Sequence, residues 1–236
     1  MWTLESIVRM NTPYSRREIL ELIQKRAIQI NGKVAEDLTA KVDPKRDKLT
    51  IRGKAIRQDT EFLYYKFNKP RGVISTMEDP KGRRCLAEFL SKIPRPVFPI
   101  GRLDRESSGL LIFTNDGHFS QGIAHPRFAV EKRYLLRFDK PLSAEAIHRA
   151  LSGFFLEDGP FRCLSCTEES DGYEVIINEG RNRILRRAFE YLGYQVQALH
   201  RLSIGPFSLD GVKPGKLSPF SAKERDQIAK YCYSEE

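Results

Sequence analysis

The part of this sequence best suited to chemistry is a charged loop between two apolar runs. Asp104 stands between Arg102 and Arg105, and the runs 98–100 and 110–113 flank the loop. The second run leads into Asn-Asp-Gly, a strong turn signal. The pattern predicts a loop held between two buried strands, the usual place for a reactive group on a rigid frame. An aspartate is ionised at neutral pH, so Asp104 can act there as a nucleophile or as a base.

This loop also carries a family resemblance. Gly-Arg-Leu-Asp at 101–104, followed by Gly-Leu-Leu-Ile-Phe-Thr-Asn-Asp-Gly at 109–117, resembles the catalytic segment of the pseudouridine synthases. It is most similar to the branch typified by the bacterial RsuA enzyme, which modifies ribosomal RNA. The resemblance covers nearly the whole chain and implies an RNA uridine isomerase with Asp104 as its catalytic group.

Three further segments carry the same resemblance: Glu-Lys-Arg-Tyr at 131–134, the arginine-rich stretch 178–189, and Leu-His-Arg at 199–201. They imply that Tyr134 stacks on the uracil and can relay a proton. They also imply that Arg186 pairs with Asp104, fixing its charge and direction, and that Leu199 packs against the aspartate or the base. The residues alone also allow a buried sheet tyrosine at 134 and an Asp104 that caps its own turn or pairs with Arg102.

The implied reaction breaks the C1′–N1 bond of uridine, rotates the uracil and joins C5 to C1′. Because nothing leaves and no electrons are gained or lost, we expect no metal and no redox cofactor. Asp104 can attack C6 of the base, attack C1′ of the ribose, or remove a proton from C2′, and the sequence leaves all three routes open. The nucleotide must first flip out of folded RNA, at a cost of about a few kcal/mol.

The charge balance favours a polyanionic partner. The 236 residues include 40 Lys and Arg against 31 Asp and Glu, a net charge of +9, and each phosphate that a protein neutralises releases counterions. Charge alone also allows the less favoured alternative of a basic protein that binds no nucleic acid. The residues predicted to contact RNA are Arg102, Arg105 and Arg181, which can hold phosphates or fill the gap left by the flipped base, Lys69 and Arg71 in a predicted loop at 68–72, and Arg16 and Arg17.

Arg16 and Arg17 belong to a predicted small domain, residues 1–56. Ser15 and Glu18 form a capping box at the start of a helix, and a strand at 27–30, a turn at Asn31-Gly32 and a returning strand at 48–51 follow. This pattern is similar to the RNA-binding domain named after small-subunit ribosomal protein S four, whose arginine-bearing helix grips the RNA backbone.

Residues 57–61 are predicted to be a linker, and 62–236 a catalytic domain. Strands outnumber helices there and are mostly joined by turns, so we predict an α+β fold, built on a mixed and mainly antiparallel sheet. Within it a helix is expected from about Asn182 to Gly193.

The remaining features narrow the class of protein. The four cysteines do not form a disulfide framework, and Cys163-Leu-Ser-Cys166 lacks the second ligand pair of a metal site. The sequence has no signal peptide and no run of about 20 apolar residues. We therefore expect a cytoplasmic monomer whose partner is ribosomal RNA or a ribosome assembly intermediate, with no membrane contact. Two alternatives stay open: a non-catalytic RNA-binding or ribosome-assembly protein on the same fold, and a pseudouridine synthase that acts on transfer RNA.

Overall fold

The computed structural model describes residues 1–232. The predicted catalytic domain extends to 236, so its residues 233–236 lie outside the described part of the chain. The chain divides into two compact units: the first comprises 1–64, 91–98 and 113–117, and the second 65–90, 99–112 and the chain from 118 onward. Among residues 1–232, no helix combines the length and apolar character that crossing a lipid bilayer requires.

The first unit contains two short helices and a small sheet. The elements are β1 (Trp2–Thr3), α1 (Leu4–Asn11), α2 (Arg16–Gln24), β2 (Ile28–Ile30), β3 (Lys33–Val34), β4 (Lys41–Val42), β5 (Leu49–Ile51) and β6 (Lys54–Ala55). The predicted capping box is confirmed at α2, where the Ser15 hydroxyl accepts from the Glu18 amide and the Glu18 carboxylate accepts from the Ser15 amide at 2.7 Å. The predicted returning strand is β5, antiparallel to β2. The turn between β2 and β3 has positive φ at Asn31 and Gly32, as a tight hairpin requires.

The apolar faces of the two helices pack against these strands. The buried residues of this cluster include Leu4, Ile7, Ile19, Leu22, Ile28 and Leu49. Arg16 and Arg17 lie at the start of α2 and are exposed, so the helix buries one face and presents its basic end to solvent.

The rest of the chain supplies a large sheet with helices. The elements are β7 (Tyr64–Lys69), β8 (Phe98–Ile100), β9 (Ser108–Thr114), α3 (Gly117–Ala124), β10 (Lys132–Phe138), α4 (Ala144–Ser152), β11 (Phe154–Leu156), β12 (Gly159–Phe161), β13 (Ser165–Glu169), β14 (Gly172–Ile177), α5 (Ile184–Tyr191), β15 (Val196–Ile204), β16 (Phe207–Ser208), β17 (Leu217–Pro219) and α6 (Ala222–Ile228), with 3₁₀ turns at Leu86–Phe89, Pro126–Phe128 and Ala229–Tyr231.

Within residues 1–232, nine of these strands form one sheet in the order β13-β14-β10-β15-β9-β7-β17, with β16 beside β15 and β8 beside β9. The pairs β13–β14, β14–β10, β10–β15 and β17–β7 are antiparallel, whereas β15 and β9 are parallel. The sheet is therefore mixed and mainly antiparallel, and the predicted α+β class is confirmed.

Helices α4 and α5 cover part of this sheet. Their apolar residues, among them Ala146, Leu185 and Phe189, pack in one cluster with Leu136 of β10 and Val175 of β14. Gly193, with φ +85°, ends the turn after α5 as predicted. The helix begins two residues later than expected, because Arg183 at its N-cap adopts a left-handed backbone with φ +50°.

The parallel contact between β9 and β15 depends on Gly109. Gly109 lies opposite Arg201 and has φ +108°. A Cβ atom at this position would overlap the carbonyl and amide of Arg201. Glycine is therefore required twice here, once for its backbone conformation and once for the close approach of the two strands.

We expect Gly109→Ala to lower the free energy of unfolding by about 3 kcal/mol or more, because it adds overpacking to a strained backbone. Urea denaturation measures the change. Gly117→Ala is the matched control, since a Cβ there meets no atom within 4 Å and its stability should not fall. Equal stability of the two variants would contradict the close approach of β9 to β15.

Candidate active site

The loop that carries Asp104 runs from β8 to β9, so its predicted placement between two strands is confirmed. Neighbouring backbone holds it. The Ser75 hydroxyl donates to the Leu103 carbonyl at 2.6 Å and accepts from the Leu103 amide at 3.1 Å, and the Gly72 amide donates to the Arg105 carbonyl at 2.7 Å. These bonds lie on both sides of Asp104 and leave little freedom to its backbone.

Asp104 lines a cavity of about 610 Å³, and its side chain is 32% exposed. The walls come from five segments of the second unit: 100–104 with Ser107, 123–126, Lys132 with Tyr134, 177–186, and Leu199 with Arg201 and Ile204. The size is that of sites for small organic ligands, which occupy about 300–1,000 Å³.

The structure brings the three residues predicted to be catalytic, and Leu199, predicted to pack against the aspartate or the base, to this one cavity. Asp104, Tyr134, Arg186 and Leu199 all line it. Tyr134 on β10 and Leu199 on β15 are each 7% exposed, so they offer apolar surface from the sheet. Arg186 approaches from the first turn of α5.

The predicted ion pair between Arg186 and Asp104 is not formed. Among residues 1–232, Arg183 is the arginine within 4 Å of the Asp104 carboxylate, at 3.4 Å, and it also reaches Glu106 at 3.1 Å. The guanidinium of Arg186 instead donates to the Val196 carbonyl at 2.7 Å. That bond holds it back from the carboxylate, whereas the left-handed backbone at Arg183 turns its side chain toward the loop.

Arg186 nevertheless interacts electrostatically with the charged groups of the site. Burial lowers its pKa first, and the neighbouring Arg183 lowers it further, while Glu106 and Asp104 act in the opposite direction. One Nη atom lies 3.5 Å from the Ser107 hydroxyl, beside the Asp104 loop. Arg186 is therefore close enough to act on Asp104 through space without touching it.

The prediction that Lys69 touches the RNA backbone is wrong. The strand β7 continues through Asn68, whose amide and carbonyl bond Lys216 and Gly215, so 68–72 is not a loop throughout. Lys69 is fully buried. Its amine donates to the carbonyls of Val73 at 2.8 Å and Pro70 at 3.2 Å. Burial lowers its pKa to about 8, although Asp104 and Glu106 oppose the shift.

The arginines predicted to contact RNA fall into two groups. Arg102, Arg105 and Arg71 are exposed. Arg102 lines the cavity, Arg105 makes one long bond to the Gly72 carbonyl at 3.4 Å, and Arg71 lies near enough to Arg186 to lower its pKa. These three can meet phosphates without giving up strong internal partners.

Arg181 lines the cavity, but its guanidinium is already bonded to other groups of the protein. It donates to Glu179 at 2.5 Å, to Asp158 at 2.9 Å and to the Pro160 carbonyl at 2.6 Å. Asp158 also binds Arg187 at 2.6 Å. The β11–β12 turn thus anchors the 178–183 loop, and in this arrangement Arg181 acts as a structural tie.

The two predicted arginines of the first unit differ in the same way. Arg16 bonds Glu5 at 3.0 Å, although its side chain is 67% exposed. Arg17 is exposed, with no ion pair or hydrogen bond of its side chain among the described residues. Arg17 is therefore the more available of the two for an external anion.

Sequence reasoning missed three cationic side chains of the cavity: Arg183, Lys132 and Arg201. Strand alternation was the available signal for two of them. Lys132 stands two residues before Tyr134 and Arg201 two residues after Leu199, so each shares a face with a residue already chosen. Arg183 lies off the apolar face of the predicted helix, and this position did not indicate that its side chain would reach the cavity.

The thiols do not form a second site. Cys163 and Cys166 are free and buried, and burial raises the pKa of both, that of Cys166 to about 11. No group of three His, Cys, Asp or Glu side chains within residues 1–232 is placed to hold a metal ion.

Comparison with known proteins decides the family. The family described as RNA pseudouridylate synthase matches residues 64–191, a range that includes Asp104, Tyr134 and Arg186. The chain is 34% identical over 239 residues to ribosomal large subunit pseudouridine synthase B of Bacillus subtilis, and the match covers 97% of each chain. This chain belongs to the RNA pseudouridylate synthase family.

A second relative supports the assignment of this pseudouridine synthase. An uncharacterized RNA pseudouridine synthase of Aquifex aeolicus is 33% identical over 222 residues, covering 92% of this chain and 89% of its own. A crystal structure of a pseudouridylate synthase shares the fold, with a TM-score of 0.67 and 24% identity over 97% of this chain and all of that one. The predicted family and enzyme class are confirmed.

We expect the stability of this synthase to depend on pH through Lys69. Its pKa is about 8 in the folded protein against 10.5 normally, so between these values the unfolded chain binds more protons and stability rises with pH. The unfolding free energy of the wild type minus that of Lys69→Met should therefore grow by up to about 3 kcal/mol from pH 8 to 10.5.

Urea denaturation across this pH range measures the difference. The exposed Lys81 gives the matched control. Its amine is in water in both the folded and the unfolded state, so Lys81→Met should not change how the unfolding free energy depends on pH. If the difference in unfolding free energy between the wild type and Lys69→Met is the same at pH 8 and at pH 10, the desolvation of Lys69 is contradicted.

Proposed function

We propose that this protein isomerises a uridine of ribosomal RNA to pseudouridine, with Asp104 as the catalytic group. The relative from Bacillus subtilis carries the ribosomal large subunit in its name, so we take the RNA of the large subunit as the source of the substrate. Work on ribosomal RNA implies a cytoplasmic location, and we expect the protein to act as a monomer.

The observation that carries the proposal is the meeting of a partly exposed carboxylate with an aromatic and an aliphatic side chain in one cavity. Asp104, Tyr134 and Leu199 come from a loop and two strands far apart in the chain, and all three line the same space. A nucleotide base needs a flat apolar surface to stack on and a reactive group at its sugar. A protein that only binds RNA has no need for a cavity of this size with a carboxylate in its wall.

The proposed reaction starts with a uridine that has flipped out of the RNA, at a cost of about a few kcal/mol. Tyr134 stacks on the uracil, and Leu199 packs against it from the neighbouring strand. Asp104 then reacts at C1′, at C6 or at the C2′ proton, and in each route the ring turns within the cavity before C5 joins C1′. The apolar walls keep the detached base in place during that turn.

Two arginines share the task of orienting the Asp104 carboxylate. Arg183 contacts its carboxylate at 3.4 Å, and Arg186 interacts with it electrostatically without a direct contact. An incoming phosphate competes for the exposed Arg183, which is 43% exposed. We propose that Arg186, anchored at Val196, is the partner that stays with Asp104 when substrate is bound.

The exposed cations hold the RNA. We propose that Arg102, at the mouth of the cavity, fills the gap left by the flipped base, and that Arg71 and Arg105 bind neighbouring phosphates. In the first unit, residues 1–56 act as an RNA-binding domain like that of ribosomal protein S four, with α2 presenting Arg16 and Arg17 to the backbone. Residues 57–61 then serve as the connection to the catalytic domain.

The deciding experiment is a map of pseudouridines in ribosomal and transfer RNA from cells with and without this protein. A position lost from ribosomal RNA supports the proposal, and the purified protein should restore it in vitro. A position lost from transfer RNA would replace the substrate, and an unchanged map with defective ribosome assembly would favour a non-catalytic role.

We expect Asp104→Asn to form no detectable pseudouridine, because the amide is neither a nucleophile nor a base, while its RNA affinity stays within a few-fold of wild type. Single-turnover assays and filter binding measure the two quantities. Asp171→Asn, at an exposed carboxylate that pairs with Arg137, is the isosteric control and should keep full activity. Full activity of Asp104→Asn would refute its catalytic role.

We expect the double variant Arg16→Gln, Arg17→Gln to bind RNA more weakly and with a flatter salt dependence. Each lost phosphate contact should reduce the slope of log K against log salt by about 0.7–0.9. Lys45→Gln removes an exposed charge of the same unit and serves as the control. An unchanged slope in the double variant would show that α2 makes no phosphate contact.

A further inference from the structure

The lining of the cavity contains one half-buried and one buried cation, Lys132 and Arg201, that the proposed roles leave unused. Lys132 lies on β10 and Arg201 on β15, and both line the cavity. Arg201 is 4% exposed. Its Nε donates to the Leu110 carbonyl at 2.7 Å, while its Nη2 atom is buried and has no hydrogen-bond partner among the described residues. Within the described part of the chain, the Lys132 amine makes one hydrogen bond, to the Val130 carbonyl at 2.9 Å.

The protein supplies little negative charge to these cations. The charged groups that act on Lys132 are Arg201 from β15 and Glu179 from the loop after β14. Glu179 already accepts two hydrogen bonds from Arg181, at 2.5 and 2.9 Å. Burial and Arg201 together lower the pKa of Lys132 to about 8. Each cation has one backbone carbonyl partner, and desolvated charges that lack a fully satisfying set of partners are costly. This arrangement is therefore suited to an acceptor that arrives with a ligand.

We infer that Lys132 and Arg201 form an anion-stabilising floor that binds the carbonyl oxygens of the flipped uracil and holds the negative charge it gains when the C1′–N1 bond breaks. The inference rests on the proposed function and adds two groups to its chemistry. Preorganised donors aimed at charge that develops in the transition state are commonly the largest single contribution to catalysis.

The position of the pair favours the base over a phosphate. Arg201 lies opposite Tyr134 in the β10–β15 register, and Lys132 shares a strand face with Tyr134. Both cations are thus beside the residue proposed to stack on the uracil. The exposed arginines at the rim, by contrast, meet solvent, where the phosphates of folded RNA lie.

The isomerisation conserves all atoms and electrons of the uridine. When C1′–N1 breaks, its electron pair passes to the uracil and spreads over N1, O2 and O4. The ribose is balanced by a bond from Asp104 to C1′ or by transfer of the C2′ proton to Asp104. An electron pair of C5 then forms the bond to C1′, and in the same step either the Asp104–C1′ bond breaks and its electron pair returns to the carboxylate, or Asp104 gives its proton back to C2′. C5 finally loses its proton and N1 gains one. Lys132 and Arg201 keep their protons throughout and contribute charge only.

The test compares Lys132→Met, Lys132→Arg and Lys66→Met in the full chain. The probe is a stem-loop RNA that carries the uridine located by pseudouridine mapping, with enzyme in excess. Lys132→Met should turn over about 10²-fold more slowly, as for loss of one oxyanion donor, with its RNA Kd within three-fold of wild type. Lys132→Arg should recover most of the rate, because it restores the charge.

Lys66→Met controls for loss of a buried lysine of the same sheet. Lys66 is 7% exposed and bonds Glu224 at 2.8 Å, outside the cavity lining. Its melting temperature should fall while its rate constant stays at the wild-type value. A rate loss that is equal in all three variants and follows their melting temperatures would overturn the inference.

The pH profile provides a readout that a structural role would not move. The wild-type rate should fall as the pH rises above about 8, where Lys132 loses its proton, and in Lys132→Arg this fall should move to higher pH. Identical profiles would overturn the inference even if Lys132→Met fails to fold.

The remaining outcomes separate the two proposals. A Lys132→Met variant with a normal rate but weaker RNA binding and a salt slope reduced by about 0.7 would assign the pair to a phosphate instead. An active wild type with a fully active Lys132→Met refutes the inference alone. A wild type that forms no pseudouridine on any mapped site refutes the proposed function and the inference with it.

Discussion

The arrangement of the site depends on the parallel contact between β9 and β15. This pairing joins Ser108 and Gly109, directly after the Asp104 loop, to His200 and Arg201. Strand β10 then pairs with the other edge of β15, so Tyr134, Leu199 and Asp104 meet at one place. On the far face, the Ser108 hydroxyl and the His200 ring lie 2.9 Å apart and tie the same two strands. The reactive loop is thus located by the sheet rather than by its own residues.

The cationic side chains of the second unit differ in how exposed they are to solvent. Arg102 and Arg183 line the cavity and are exposed, whereas Lys132 is half-buried and Arg201 and Lys69 are buried. Burial lowers the pKa of both lysines to about 8. Water screens exposed charges strongly and buried ones weakly. The rim therefore suits reversible contact with a flexible polyanion, and the floor suits a strong field on a small group. This division supports a reaction in which a neutral base becomes transiently charged.

Much of the fold could be predicted because its signals are local. The capping box of α2, the Asn31-Gly32 turn, the loop between β8 and β9 and the stop at Gly193 each depend on a few neighbouring residues. The mistake at Lys69 has the opposite cause. Pro70 marks a strand end correctly, but the backbone of Asn68 is bound by residues 215–216, and this distant pairing extends the strand through Lys69 and buries its side chain. Strand alternation would have identified Lys132 and Arg201 had it been applied to the motif strands.

The sequence by itself determined the family, the position of the Asp104 carboxylate between two strands and several of the side chains that share its cavity, because residue type and short-range spacing are enough to define a motif. Tertiary structure alone decided which cation reaches that carboxylate. Arg183 contacts Asp104 across 79 residues of chain, while Arg186, three residues further along, is held by Val196. The outcome depends on a left-handed backbone at one residue and on a carbonyl of a neighbouring strand. Neither is visible in a linear pattern, since both arise when separate segments pack together.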